Sequence, residues 1–309
     1  MSVTTDFVAA QKQNRRNTVL LLAILTVLAA AVGYSVGWLL EGESSGTLPT
    51  VSSVGVAAVS IGWSALSLAV GDKLVLTMAG AKEIEKADAQ QLYNVVEEIS
   101  IASGVPMPRV MVLETDALNA FATGNKVGHG TIAVTRGLLD TLSRDELQGV
   151  VAHEMAHLAN LDTRYMVVVG VTVGLIALVC DMVLRTMNWG STRSSDRKGS
   201  SGGGILIIIL IVVAIFAPLA AKAVQMAVSR QREYLADATS VQFTRNPNGL
   251  ISALGKLAEK AAPFPGVSRA TQHLFIVNPV QTFTAKTPAL LATHPDIEDR
   301  IARLRNLGS

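Results

Sequence analysis

The plainest chemistry in this chain lies in the run His153-Glu154-Met155-Ala156-His157. On a helix, residues i and i+4 stand one turn apart on the same face, so both imidazoles can reach one metal ion. Glu154, beside the first histidine, can reach a water held at the metal's open position and take its proton as the oxygen attacks a carbonyl. The neighbours Val150, Val151, Met155, Ala156 and Leu158 are apolar and predict a buried helix. Uncompensated histidine and glutamate are costly in such a place, which favours a bound metal over a chance match.

A catalytic zinc usually takes three protein ligands and keeps one position open. The chain has a single cysteine, Cys180, and five histidines. An intramolecular disulfide and a thiolate cluster are therefore excluded, and the third ligand must be histidine or carboxylate. His129 and His273 stand in no helical register with the first pair. Glu233, within Arg230-Gln231-Arg232-Glu233-Tyr234-Leu235-Ala236-Asp237, is the better choice. Asp237 is four residues on, on the same helix face, where it could accept the second N–H of a ligand histidine and fix its tautomer. A solvated charged face is the competing reading of this acidic pair. Two histidines and a glutamate favour zinc, one ion per chain.

Several elements must position these groups. Ser143 and Glu146 form a capping-box pattern that opens a helix running through Asn160. Gln90–Ser103 carries Leu92, Val95, Val96 and Ile99 at helical spacing, whereas Val110–Leu113 and Thr131–Thr135 read as strands. Asn119–Gly124 lies between those strands and ends in a turn signal. Thr131–Thr135 is expected at a sheet edge, where an extended substrate could add by backbone hydrogen bonding near Asn119 and Phe121. Phe121 reads equally well as core. Arg300, on a terminal helix with Ile297, Ile301 and Leu304 along one face, could orient a carboxylate or a substrate carbonyl, or be a surface charge. The fold class is α+β, mainly α, with a small sheet beside the metal-binding helix.

The composition sets this domain in a membrane. Half the residues are hydrophobic, 16% are charged, and the mean hydropathy is +0.40. The formal charge of +2 is spread along the chain, and no basic block points to nucleic acid. Four apolar spans are predicted, at 18–40, 50–70, 165–184 and 204–224, the last kinked by Pro218. The first reads as an uncleaved anchor rather than a signal peptide, because its apolar run is longer than a signal core needs. The second and third could instead be buried helices of a soluble core. Basic flanks and the acidic first loop put the N-terminus and the chemistry on the cytoplasmic side. Arg185, Arg193, Arg197 and Lys198 in the flexible loop 185–203 conflict with full crossing of spans three and four, so a hairpin dipping from the cytoplasmic face remains open. The chain thus divides into a basic N-terminus (1–17), a membrane hairpin (18–72), a first protease part (73–164), a second hairpin (165–224) and a second protease part (225–309). About a dozen residues separate His153 from span three, roughly 18 Å of helix, which puts the metal just above the bilayer surface.

Together, the two N-terminal spans, Asn119–Gly124, His153–His157, two further spans, Glu233–Asp237 and Thr293-His294-Pro295 make the chain resemble the HtpX-like membrane metalloproteases, relatives of the CAAX prenyl proteases. The resemblance covers nearly the whole chain. It implies a gluzincin-like zinc endopeptidase of the plasma (inner) membrane, cutting misfolded membrane proteins or unfolded polypeptides on the cytoplasmic side. It also implies Glu233 as third ligand, with Asp237 steadying a ligand histidine. The His-Pro segment is implied to fold back towards the metal, making His294 a candidate donor to the oxyanion, though a helix start favours such a residue without any catalytic role. Two other readings compete. A prenyl-peptide processing protease would have more spans, and a membrane scaffold with a structural zinc would close the site with four ligands.

Overall fold

The computed structural model describes residues 7–41, 47–124, 126, 128–169, 230–259, 276 and 295–307. Spans three and four beyond residue 169, loop 185–203, Cys180, His273 and His294 lie outside the described residues.

The chain opens with two long helices, α1 (Phe7–Glu41) and α2 (Leu48–Ala79). They form an antiparallel pair. Small residues let the backbones approach: a Cβ on Gly33 would meet Ser52 O at 2.7 Å. The Ser52 and Ser53 hydroxyls donate across the seam to Gly33 O and Ala30 O, at 2.7 and 2.9 Å. Serine, glycine and alanine weaken α2 as an apolar span, yet they are what a close helix–helix contact in lipid needs. Both helices are long and apolar enough to cross a membrane, over Lys12–Ala31 and Leu48–Ala79. Only 11% of the apolar window of α2 is buried, so α2 is no core helix of a soluble domain. Its 32 residues extend about 48 Å, longer than the hydrocarbon core, and its last turns pack on the polar domain.

Beyond α2 the chain alternates strands and helices: β1 (Lys82–Glu83), α3 (Gln90–Ser103), β2 (Arg109–Leu113), β3 (Ala120–Thr123), β4 (Thr131–Thr135), α4 (Arg136–Thr141) and α5 (Arg144–Asn160). Helices α6 (Arg230–Thr244), α7 (Pro247–Glu259) and α8 (Ile297–Leu307) follow. The sheet order is β1-β2-β4-β3, with β2 and β4 parallel and the outer pairs antiparallel. One expectation is corrected here. Thr131–Thr135 is an interior strand, and the edge is Ala120–Thr123, a segment whose turn signal concealed its extended form. Alanine and glycine score poorly as strand formers, but the pairing partner overrides that local preference.

Side chains alternate across the sheet. Val110, Val112, Ala120, Ala122, Ile132 and Val134 face the helices α3, α5 and α7. Met111, Leu113, Phe121 and Ala133 face Val75 and Leu76 of α2, together with Met166 and Val167. The sheet is therefore sandwiched between helices α3, α5 and α7 and the end of the α1–α2 hairpin.

Helix α5 is buried along almost its whole length. The Ser143–Glu146 capping box is present, and Glu146 does more than cap. Its carboxylate also accepts from Ser252 Oγ at 2.6 Å and from Lys256 Nζ at 2.7 Å, tying α5 to α7. The two helices touch at Gly149, where a Cβ would stand 2.6 Å from Leu250 N.

Candidate active site

Helices α5, α6 and α8 and strand β3 converge on one buried cluster. His153 Nε2 and His157 Nε2 lie 3.2 Å apart, their ring planes at 87°. The Glu233 carboxylate faces both, Oε2 at 3.6 Å from His153 Nε2 and Oε1 at 3.7 Å from His157 Nε2. Behind each histidine stands another carboxylate. His153 Nδ1 lies 2.9 Å from Asp237 Oδ1, and His157 Nδ1 lies 3.0 Å from Asp162 Oδ2. An ionised carboxylate only accepts, so each Nδ1 of a neutral imidazole donates and each Nε2 turns its lone pair inward.

Two lone pairs and a carboxylate brought this close repel one another unless a cation sits among them. The spacing fits one: a tetrahedral ion with bonds of about 2.0–2.1 Å holds its ligand atoms roughly 3.3 Å apart. The electrostatics agree. Burial and the Arg300 charge press the His153 pKa down, yet Asp237 and Glu233 outweigh them and raise it to about 9. This is a pocket that attracts positive charge. The described residues thus meet the requirements of a metal.

Glu154 is buried beside the ligands, and desolvation raises its pKa against the lowering pull of His153 and His157. The Ala122 N–H of the edge strand donates to its carboxylate, which fixes the side chain between helix and strand. A buried carboxylate with a raised pKa beside the ligands suits proton transfer.

Arg300 is fully buried rather than a surface charge. Its Nε and Nη2 grip Asp237 Oδ2 and Oδ1 at 2.9 and 2.7 Å, a two-pronged pair that locks the carboxylate behind His153. It therefore orients a carboxylate, and the reading as a substrate contact is not what the geometry favours. Burial lowers the Arg300 pKa, but Asp237, Glu233 and Glu154 together raise it, so it remains charged. Phe121 lies in the apolar layer against α2, and its side chain is core rather than substrate-facing. Asn119 is buried as well, with its Oδ1 accepting from Ala120 N and its backbone bonded to Thr135. The outer edge of β3 is already partly engaged, since Ile276 N donates to Ala120 O. His129 is exposed in a loop.

Sequence reasoning missed Asp162. It lies five residues after His157, outside any helical register. Leu161 makes the link, as the left-handed C-cap of α5 with φ 57°. This reversal costs a leucine about 1–2 kcal/mol and turns the chain back beneath the second histidine. Nothing short of the fold reveals it, although an aspartate just past a His-Glu-x-x-His helix is a place to look.

Residues 86–308 match the model of peptidase family M48. The chain belongs to peptidase family M48. It is 41% identical over 298 residues to a protease HtpX homolog of Caldanaerobacter subterraneus subsp. tengcongensis, covering 96% of each chain. A protease HtpX homolog of Limosilactobacillus fermentum is 40% identical, with 96% of this chain and 98% of that one aligned. Among solved structures, S. mikatae Ste24p is similar over 78% of this chain and 58% of that one, with a TM-score of 0.47 and 19% identity. The resemblance to HtpX-like proteases is thus borne out, and this M48 peptidase is a membrane metalloprotease. Two of its candidate spans are among the described residues.

Proposed function

We propose that this M48 peptidase is a multi-pass inner-membrane zinc endopeptidase in which His153, His157 and Glu233 hold one zinc ion. The observation that carries the proposal is the convergence of two inward-facing Nε2 atoms and one carboxylate at separations of 3.2–3.7 Å. Bound there, zinc would supply Lewis acidity and lower the pKa of a water molecule. Asp162 and Asp237 accept from Nδ1 of each imidazole and keep Nε2 turned towards the metal site. Glu154 takes the proton of the attacking water and returns it to the nitrogen of the leaving amine. His294 is proposed as the donor to the developing oxyanion.

The substrates proposed are cytoplasmic loops and tails of damaged membrane proteins, or unfolded polypeptide, in keeping with protein quality control. The support is positional. Asn14 near the start of α1 and Val75 and Leu76 near the end of α2 both pack on the polar domain, so the site stands at the membrane end of that domain. The basic flanks put that end on the cytoplasmic side.

The test compares wild type with Glu154→Gln, purified in detergent under a chelator, for zinc content and casein cleavage after zinc is restored. Both should bind about one zinc per chain, and only wild type should cleave. Equal cleavage by the variant would overturn the assignment of Glu154.

A further inference from the structure

Asp162 does not stand alone behind His157. Its Oδ1 lies 2.8 Å from Arg232 Nε and accepts from Asn14 Nδ2 at 2.7 Å. Asn14 belongs to the N-terminal membrane helix, 148 residues away in sequence from Asp162. Its Nδ2 also donates to Asn160 O at 3.0 Å, and its Oδ1 accepts from Arg232 Nη2 at 3.2 Å. Asn14 is buried, although its neighbours Gln13 and Arg15 are exposed.

We infer that Asn14 is a positioning residue of the metal centre, through which the N-terminal membrane helix fixes the orientation of His157. The inference rests on the proposed ligand set. The residue type fits the task. The position faces a carboxylate and a guanidinium at once, and a neutral amide donates to the first through Nδ2 while accepting from the second through Oδ1. Aspartate there would repel Asp162, and lysine would repel Arg232. With Asn14 in place, Asp162 receives three side-chain donors: Arg232 and Asn14 on Oδ1, and His157 Nδ1 on Oδ2. Its rotamer is then determined from three elements, α1, α6 and α5. Asp237, on the other side, is held by Arg300. The two histidines thus have matching supports with one difference. The protease domain supplies the whole of the first, whereas the membrane anchor completes the second. Metal binding in this protein consequently depends on α1 being docked.

The experiment uses the full chain in detergent, with Asn14→Leu, which keeps the branched outline and removes the hydrogen bonds, and Gln13→Ala as an exposed neighbour on the same helix. Zinc affinity is read by competition with a chromogenic chelator. Ligand geometry is read separately from the visible absorption of the cobalt(II)-substituted protein. Asn14→Leu should bind zinc about tenfold more weakly, at the lower end of the effect of removing a partner behind a ligand histidine. Its cobalt spectrum should shift in position and intensity, while Gln13→Ala matches wild type in both. If Asn14→Leu does not accumulate folded, Asn14→Ser, which keeps one donor and one acceptor, carries the same comparison with a smaller expected loss. Wild-type affinity together with a wild-type cobalt spectrum in the folded variant overturns the inference. Failure of the wild-type protein itself to bind either metal instead overturns the ligand set beneath it.

Discussion

At the scale of single residues, the site is a set of hydrogen-bond directions more than a set of charges. Asp237 matters because it obliges His153 to present Nε2 to the centre. Asn in its place would keep the shape but offer an amide that no longer enforces the tautomer. Asp237→Asn should therefore weaken metal binding by about 10- to 100-fold, measured by equilibrium dialysis. Undiminished affinity would show that Arg300 and Glu233 suffice to hold the ring. Glu154 stands apart from this support. Removing its carboxylate should lower kcat by about 10²- to 10⁴-fold, the span of a general base, with metal content unchanged. The histidine pair and Glu154 were legible in the sequence because helical spacing alone sets them side by side. Asp162 was not, because its approach depends on a left-handed leucine.

At the scale of elements, the position of α5 decides whether the histidines meet Glu233. Two features hold it. Glu146 accepts from Ser143, Ser252 and Lys256; burial raises its pKa, but these donors, Lys256 first, bring it down to about 2. A carboxyl group whose pKa is depressed on folding stabilises the fold above its unfolded value of about 4.5, and that stability disappears as the pH falls towards 2. Glu146→Gln should accordingly destabilise wild type at pH 7 by about 1–2 kcal/mol, as for the loss of a helix cap. The difference between the two proteins should shrink on acidification below pH 4.5, as denaturant unfolding of the detergent-solubilised protein would report. The second feature is the α5–α7 contact. Gly149→Ala places a methyl group 2.6 Å from Leu250 N, where backbone rather than a pliable side chain must yield. Overpacking of this kind costs about 1–3 kcal/mol, and a thermal shift assay should show a lower midpoint. An unchanged midpoint would mean that α7 can move away freely. The capping box and the buried face of α3 could be read from sequence, since both are local patterns. The edge strand Ala120–Thr123 could not, because its extended form comes from pairing with β4.

For the whole molecule, the membrane hairpin is both anchor and structural support. The outward face of α2 is apolar: Val59 is 73% exposed and Val51 62%. Only lipid makes such a face tolerable, as contiguous patches of this size are rare on soluble surfaces. Val59→Lys, near the middle of the span, should disfavour insertion by about 2.5–3.5 kcal/mol, read as the inserted fraction in a glycosylation-mapping assay. Insertion as efficient as wild type would mean this face does not meet the hydrocarbon core. The inner end of the hairpin is quite different, with Val75 and Leu76 packed beneath the sheet and Asn14 reaching Asp162. Anchor and catalytic domain therefore share a core and a hydrogen-bond network, and they do not behave as two bodies on a linker.

The sequence by itself determined the reaction class and the lipid setting. Ligand spacing along one helix and long apolar runs are properties of short stretches, and they survive without knowledge of the fold. It also singled out Glu233 and Asp237 through their own one-turn spacing. Which helix face meets which was settled only by tertiary structure. The fold turned Arg300 from a possible substrate contact into the clamp on Asp237. It moved Phe121 into the core and made Ala120–Thr123 the edge in place of Thr131–Thr135. It also brought Asp162, Arg232 and Asn14 together from three distant segments. The physical reason is common to all of these. A buried polar group must find a partner, and the partner is chosen by packing in three dimensions, where separation along the chain carries no weight.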